Sequence, residues 1–268
     1  MVTHFHTSNR VKARLWGPVF SLILLCFSLA AIGQAAPKTS RSPAKASAKK
    51  AAAPAAQPTA VIHTTAGDMK CELFPEKSPK AVANFIGLAK GTKPWNDPAT
   101  GKPIHGKPLY DGVIFHRVIP DFMIQTGDPS GTGSGDVGFE ISDRLAPDLL
   151  FDQPGRLAMA NRGGDPATSS SQFFITEKEL PFLNPCLDEG GCPQLRRAKG
   201  TGYIIFGQCD ADTVELVKKI ARMPRGPNDR PANPVKIIHI DIQGAGKSTP
   251  AKPAAKKTGP QPKTATPK

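Results

Sequence analysis

The stretch Phe115-His116-Arg117-Val118-Ile119-Pro120-Asp121-Phe122-Met123-Ile124-Gln125-Thr126-Gly127-Asp128 sets one cation and one amide among apolar side chains. An arginine stays protonated and presents a rigid fork of donors. Arg117 therefore suits stabilising a lone pair or a developing negative charge, not moving a proton. His116 is its neighbour and on a strand faces the other way, which makes it a structural or pocket-rim group rather than an acid or base. The conventional catalytic sets are missing from the sequence: no G-x-S-x-G elbow, no H-E-x-x-H, no Walker loop. Gly131-Thr132-Gly133-Ser134-Gly135 shares only its glycines with a phosphate loop and reads as a surface loop. Thr168-Ser169-Ser170-Ser171 offers hydroxyls with no nearby histidine as base. Nucleophilic hydrolysis is not indicated. Phe and Met on short strands are ordinarily core, and an Arg between apolar residues ordinarily faces solvent, so these residues gain meaning only jointly.

The elements that must hold them are short. Ala60–Thr65 and Asp68–Leu73 flank Ala66-Gly67 and form a hairpin signal. Ser78-Pro79 opens a helix, Val82, Phe85, Ile86 and Ala89 make its apolar face, and Gly91 ends it. A second helix runs from about Asp212 to Arg222, with Val214, Val217, Ile220 and Ala221 on one side and Pro224 beyond. Extended runs fill the rest: Val113–Val118, Met123–Thr126, Leu157–Met159, Gln172–Ile175, Tyr203–Gln208 and Val235–Ile242. Many short strands between Gly/Pro turns, with only two helices, predict a mainly β domain over 60–243: a closed antiparallel barrel capped by helices.

The block from Phe115 to Asp128 resembles the signature of the cyclophilin family of peptidyl-prolyl cis–trans isomerases. Leu157-Ala158-Met159-Ala160-Asn161 is similar to the family's small-residue-plus-Asn strand, and Ser171-Gln172-Phe173-Phe174-Ile175 to its Gln-Phe-Phe strand. Ile204-Ile205-Phe206-Gly207 and the following helix match as well, so the resemblance spans essentially all of 61–243. It implies an eight-stranded barrel with two helices and a cofactor-free, metal-free isomerase, mostly monomeric in the family. The long Lys93–Leu109 connection and the loop around 184–201 look more bacterial than animal.

The implied chemistry fits these residues. Rotating a prolyl peptide bond costs about 20 kcal/mol because the twisted amide loses resonance. No bond breaks, so an enzyme need only bind the twisted form better than either planar one. The prolyl nitrogen regains a lone pair, and the resemblance makes Arg117 the group that meets it. Phe122, Met123, Phe174 and Leu183 are the implied slot for the proline ring, while Gln125 and the Asn161 backbone grip the substrate main chain. His116, Ala160, Arg162, Gln172, Phe182 and Tyr203 complete the implied substrate surface. A thousandfold acceleration needs only about 4 kcal/mol of differential binding. Phe182 stands where many members carry Trp, whose indole N–H holds cyclosporin, so weak binding of that drug is expected. Tyr203 stands where many have His, and Arg162 follows Asn161 where a small residue is common.

Composition places the charge. The chain has 268 residues and a net charge of +13, yet residues 1–60 and 244–268 hold 14 of the 35 Lys and Arg and no acid. The segment 61–243 is then nearly neutral, which argues against a nucleic-acid-binding fold. Arg10, Lys12 and Arg14 precede the apolar run Val19–Ala31 and the small residues Gly33-Gln34-Ala35, a pattern that predicts a signal peptide over 1–35 and export, with the periplasm as destination. An uncleaved anchor is the alternative. Residues 36–59 and 244–268 are Ala/Pro/Lys-rich and read as disordered, either solubilising tethers or segments weakly attracted to anionic surfaces.

Four cysteines remain beyond the leader: Cys71, Cys186, Cys192 and Cys209. Export permits disulfides. Cys186 and Cys192, flanking a short Gly-rich loop, are the favoured pair, while a C-x5-C zinc site lacks a nearby histidine. The leading reading is an isomerase that assists folding of proline-containing exported polypeptides. Its rivals are a non-catalytic proline-binding module and a surface-tethering protein in which the basic tails matter most.

Overall fold

The computed structural model describes residues 57–192 and 198–244. The expected leader over 1–35 lies outside the described residues, as do all but the end of the 36–59 linker and all but the start of the C-terminal tail. Eight strands form one antiparallel sheet: β1 (Thr59–Thr64), β2 (Gly67–Leu73), β5 (Arg117–Ile119), β6 (Met123–Thr126), β7 (Arg156–Met159), β8 (Phe173–Thr176), β9 (Ile205–Cys209) and β10 (Ile237–Gln243). Their order across the sheet is β10-β1-β2-β9-β7-β8-β6-β5. A small separate hairpin, β3 (Trp95–Asn96) with β4 (Pro103–Ile104), lies within the 93–109 connection and carries no signal in the sequence reading.

The sheet curls into a half-barrel with two edges, β5 and β10. No ladder runs between them. A single bridge links Ile114 to Lys236, with the Phe115 N–H donating to the Val235 carbonyl at 2.9 Å and the Ile237 N–H to the Val113 carbonyl at 2.8 Å. The predicted strand over 113–118 thus contributes only Arg117 and Val118 to the ladder. Continuous closure of the barrel, expected from the sequence, is not what these edges show.

Strand alternation divides the apolar residues between two faces. Val118, Ile124, Leu157, Met159, Phe173, Ile175 and Phe206 point into the main core. There the helices α1 (Pro79–Ala89) and α2 (Ala211–Ala221) supply Phe85, Leu88, Val217 and Ile220. Phe85 anchors this core, with its ring centroid 5.4 Å from those of Tyr110 and Phe173 and 5.2 Å from that of Phe206. The other face carries a smaller cluster of Met123, Phe151, Ala158, Phe174, Leu180, Leu183 and Ile205.

The helix ends show where local reading falls short. The Asp210 side chain caps α2 by accepting from the Thr213 N–H at 2.9 Å, a usual N-cap. Ser78, expected to cap α1, instead donates its hydroxyl to the Ile205 carbonyl at 2.6 Å. The first N–H groups of α1, from Lys80 and Ala81, are taken by the distant Asp143 carboxylate at 2.7 and 2.9 Å. Among the described residues two disulfides are present. Cys71 joins Cys209 across the directly paired strands β2 and β9, and Cys186 joins Cys192.

Candidate functional site

The ladder registers build the site. Arg117 faces Gln125 across β5–β6, Gln125 faces Phe174 across β6–β8, Phe174 faces Ala158 across β8–β7, and Ala158 faces Ile205 across β7–β9. Directly opposed residues on an antiparallel sheet share a face. A cation, an amide and an aromatic ring therefore stand in one row on the side away from the main core. In the adjoining row Ile119 faces Met123. This is why Arg117, Met123, Gln125 and Phe174 converge although they come from three strands.

These residues close around a pocket of about 110 Å³ lined by Arg117, Phe122, Met123, Gln125, Ala160, Asn161, Phe174, Leu183 and Tyr203. Its aromatic wall is braced from behind. The Phe174 ring stacks on Phe151 with centroids 5.9 Å apart, and Tyr203 meets Phe174 edge-on at 5.6 Å. On the opposite side the Arg117 guanidinium lies 5.9 Å from the centre of the Phe122 ring. Phe122 follows Asp121, whose φ of 57° places it in the left-handed region. That turn aims the ring back over the pocket.

A second depression of about 350 Å³ adjoins the first through Gln125, Ala160 and Asn161, and adds Gln172 and Arg162 together with Gly133–Gly135, Thr168 and Ser170. Gln125 donates to the Gln172 side-chain oxygen at 2.9 Å, and Gln172 donates to the Gly133 carbonyl at 3.1 Å. The amide row is thereby tied to the loop at 130–135. Asn161 uses its side chain inside the wall, donating to the Gly202 carbonyl at 2.7 Å and accepting from the Gly164 N–H at 2.9 Å. Arg162 stands at the exposed rim, paired with Glu140.

The glycine-rich loop owes its shape to Asp128. This carboxylate accepts from the Ser130 hydroxyl and N–H and from the N–H groups of Gly133 and Gly135, all between 2.7 and 3.0 Å. Burial works to raise its pKa, but these donors hold the carboxyl below its usual range. The loop N–H groups that would cradle a phosphate are engaged inside the loop, those of Gly133 and Gly135 by Asp128, that of Thr132 by the Ser130 hydroxyl and that of Ser134 by the Thr132 hydroxyl. Gly127 has to be glycine, since a Cβ there would stand 2.5 Å from the Ser171 carbonyl at a φ of 92°.

His116 is buried and lines a third depression beside Arg117, Gln125 and Asp229. Burial lowers its pKa, Asp128 partly opposes this, and Arg230 and Arg117 lower it further. The ring is therefore neutral near pH 7 and stands behind the site. Phe182 is half-exposed and sits against Phe122, with ring centroids 5.8 Å apart, outside the pocket lining. The remaining catalytic and substrate-contact residues implied by the resemblance each line one of the three depressions. Sequence reading missed Phe151, Glu177 and Asp229. Among the described residues, no three His, Cys, Asp or Glu side chains converge as metal ligands, and no helix is long and apolar enough to cross a membrane.

Comparison with known proteins places this architecture. The family model for cyclophilin type peptidyl-prolyl cis-trans isomerase/CLD matches residues 59–242. A probable peptidyl-prolyl cis-trans isomerase A of Mycobacterium bovis is 46% identical over 191 residues, covering 70% of this chain and 94% of that protein. Peptidyl-prolyl cis-trans isomerase B of Streptomyces anulatus is 39% identical over 187 residues, covering 69% and 95%. A crystal structure of a Cryptosporidium parvum cyclophilin type isomerase in the presence of the dipeptide Ala-Pro aligns with a TM-score of 0.52 at 34% identity, covering 69% of this chain and 98% of that one.

Proposed function

From the premise that this chain belongs to the cyclophilin family of peptidyl-prolyl cis–trans isomerases, we propose that it accelerates X-Pro rotation in exported polypeptides and so assists their folding. The proline ring enters the slot between Phe122, Met123, Phe174 and Leu183 and excludes water there. Gln125 and the Asn161 main chain hold the flanking backbone while the preceding carbonyl turns. Arg117 donates to the prolyl nitrogen as its lone pair localises. A charge-assisted hydrogen bond in a water-poor slot supplies differential binding of the size the reaction needs.

The observation that carries this reading is the shared lining of one small pocket by a guanidinium, a glutamine and the two aromatic walls. Export is supported by the basic-then-apolar N-terminal sequence and by the two disulfides, which persist in oxidising compartments.

Isomerisation of a proline peptide, measured by NMR exchange on the wild type and on Arg117→Ala, tests the mechanism. The expected loss in kcat/KM is about a hundredfold, or ~3 kcal/mol. Equal rates would instead favour a proline-binding module. N-terminal sequencing of the exported protein tests the leader, with Ala36 expected as the first residue.

A further inference from the structure

The loop between α2 and β10 carries two consecutive non-glycine residues in the left-handed region, Asn228 with φ 59° and Asp229 with φ 56°. Asn and Asp tolerate this region better than other side chains, but two in succession are uncommon. Such conformations persist where their surroundings hold them, and they gather at working sites. Here the surroundings are specific. The Gly226 N–H donates to the Arg230 carbonyl at 2.8 Å, and the Ala232 N–H donates to the Pro224 carbonyl at 2.8 Å. The Arg230 guanidinium reaches across to the Gly131 carbonyl.

This turn delivers the Asp229 carboxylate between two guanidinium groups. One oxygen lies 3.7 Å from Arg117 Nε and the other 3.3 Å from Arg225 Nε. All three side chains are more than a third exposed, and ion pairs in that setting add little to stability. Stability therefore does not account for the arrangement. Asp229 is absent from the proline pocket and borders the depression on the other side of Arg117. The guanidinium is thus approached by the Phe122 ring on one side and by a carboxylate at its Nε edge on another.

We propose that Asp229 is a positioning residue for isomerisation: it anchors the Nε edge of Arg117 so that the Nη donors face the pocket. The proposal rests on the reading of Arg117 as the group that meets the twisted amide. An unanchored arginine samples many rotamers, whereas electrostatic stabilisation requires donors already in place. The 3.7 Å separation is longer than a hydrogen bond. The carboxylate acts as a charge anchor and draws closer when a bound peptide excludes water.

Asp229→Gly removes the carboxylate while suiting the left-handed backbone, so the fold is kept. The expected result is a kcat reduced about tenfold, KM changed less than twofold and a melting temperature within a few degrees of wild type. Asp229→Asn, which keeps an oxygen but not the charge, should fall between the two. In an Arg117→Ala background Asp229→Gly should cause no further loss. Wild-type kcat in Asp229→Gly overturns the proposal, as does an equal second loss when Arg117 is already absent. If Arg117→Ala alone is without effect, the reading of Arg117 fails and takes this inference with it. A crippled Arg117→Ala beside an unaffected Asp229→Gly sinks only the role of Asp229.

Discussion

Glu177 holds Phe122 through the main chain on both sides of its peptide unit. The Glu177 N–H donates to the Phe122 carbonyl at 2.9 Å, and the Glu177 carboxylate accepts from the Asp121 N–H at 3.1 Å. That carboxylate is buried and also accepts from Arg222 at 2.6 Å. The left-handed Asp121 turn is thereby fixed, and with it the ring that faces Arg117. Glu177→Ala should loosen the turn, costing about 1–3 kcal/mol for the lost charged acceptor and several-fold in kcat/KM. Urea denaturation alongside the peptide assay checks this. Full activity with lowered stability would show that the turn does not position the ring.

Gln125 stands in the row between Arg117 and Phe174 and is tied to Gln172. Replacing it with Ala should remove one main-chain grip on the peptide and reduce kcat/KM about tenfold, the equivalent of ~1.4 kcal/mol. Binding of a non-isomerisable proline peptide, followed by calorimetry, should weaken in parallel. Unchanged binding would assign Gln125 to the architecture of the wall.

The two disulfides should separate stability from activity. Cys71–Cys209 closes a loop with a sequence separation of 138, and Cys186–Cys192 one of only 6. Loop-closure entropy then assigns about 5 kcal/mol to the first and about 2 kcal/mol to the second. The short loop lies in the chain between Leu183 and Tyr203, both of which line the pocket. Cys71→Ser/Cys209→Ser should mainly lower the denaturation midpoint. Cys186→Ser/Cys192→Ser should mainly raise KM. The reverse pattern would remove the short disulfide from any part in shaping the pocket.

Two histidines whose pKa values are shifted in opposite directions should respond oppositely to pH. Hydrogen bonding to Asp68 raises the His63 pKa above 6.5, burial opposes this in part, and the charge of Asp68 and the nearby Asp241 add to the rise. Its contribution to stability is complete below 6.5 and disappears as pH climbs through the raised folded value. His116 has a folded value depressed below 6.5, so its contribution is present above 6.5 and lost on acidification through the depressed value. The melting-temperature gap between wild type and His63→Asn should therefore shrink from about pH 5.5 to pH 8. A constant gap would count against the His63 assignment.

Inhibition by cyclosporin should be weak, because the residue beside Phe122 is Phe182, a ring without a donor. Phe182→Trp restores an indole N–H at this half-exposed rim and should tighten inhibition at least about tenfold, near the worth of one hydrogen bond. A titration of both proteins decides it.

Much of the candidate site was legible because its residues are contiguous. Arg117, Phe122, Met123 and Gln125 fall within nine residues of one hairpin, and strand alternation assigns their faces without tertiary information. Asp229 and Glu177 were not legible, since each reaches the site through a fold-level contact that leaves no local periodicity. The same reason explains Asp143, which caps α1 from far along the chain, and Cys71–Cys209, which depends on β2 pairing with β9. The run 113–118 has strand composition, yet its path is set by the one bridge from Ile114 to Lys236 rather than by propensity.

The pocket wall belongs to the smaller apolar cluster, on the opposite face of the sheet from Phe85, Tyr110 and Phe206. The proposed catalytic surface is in effect a veneer laid on a load-carrying panel. Substitutions at Leu183 or Tyr203 should then retune which prolyl sequences the proposed slot accepts while leaving the timbers beneath intact.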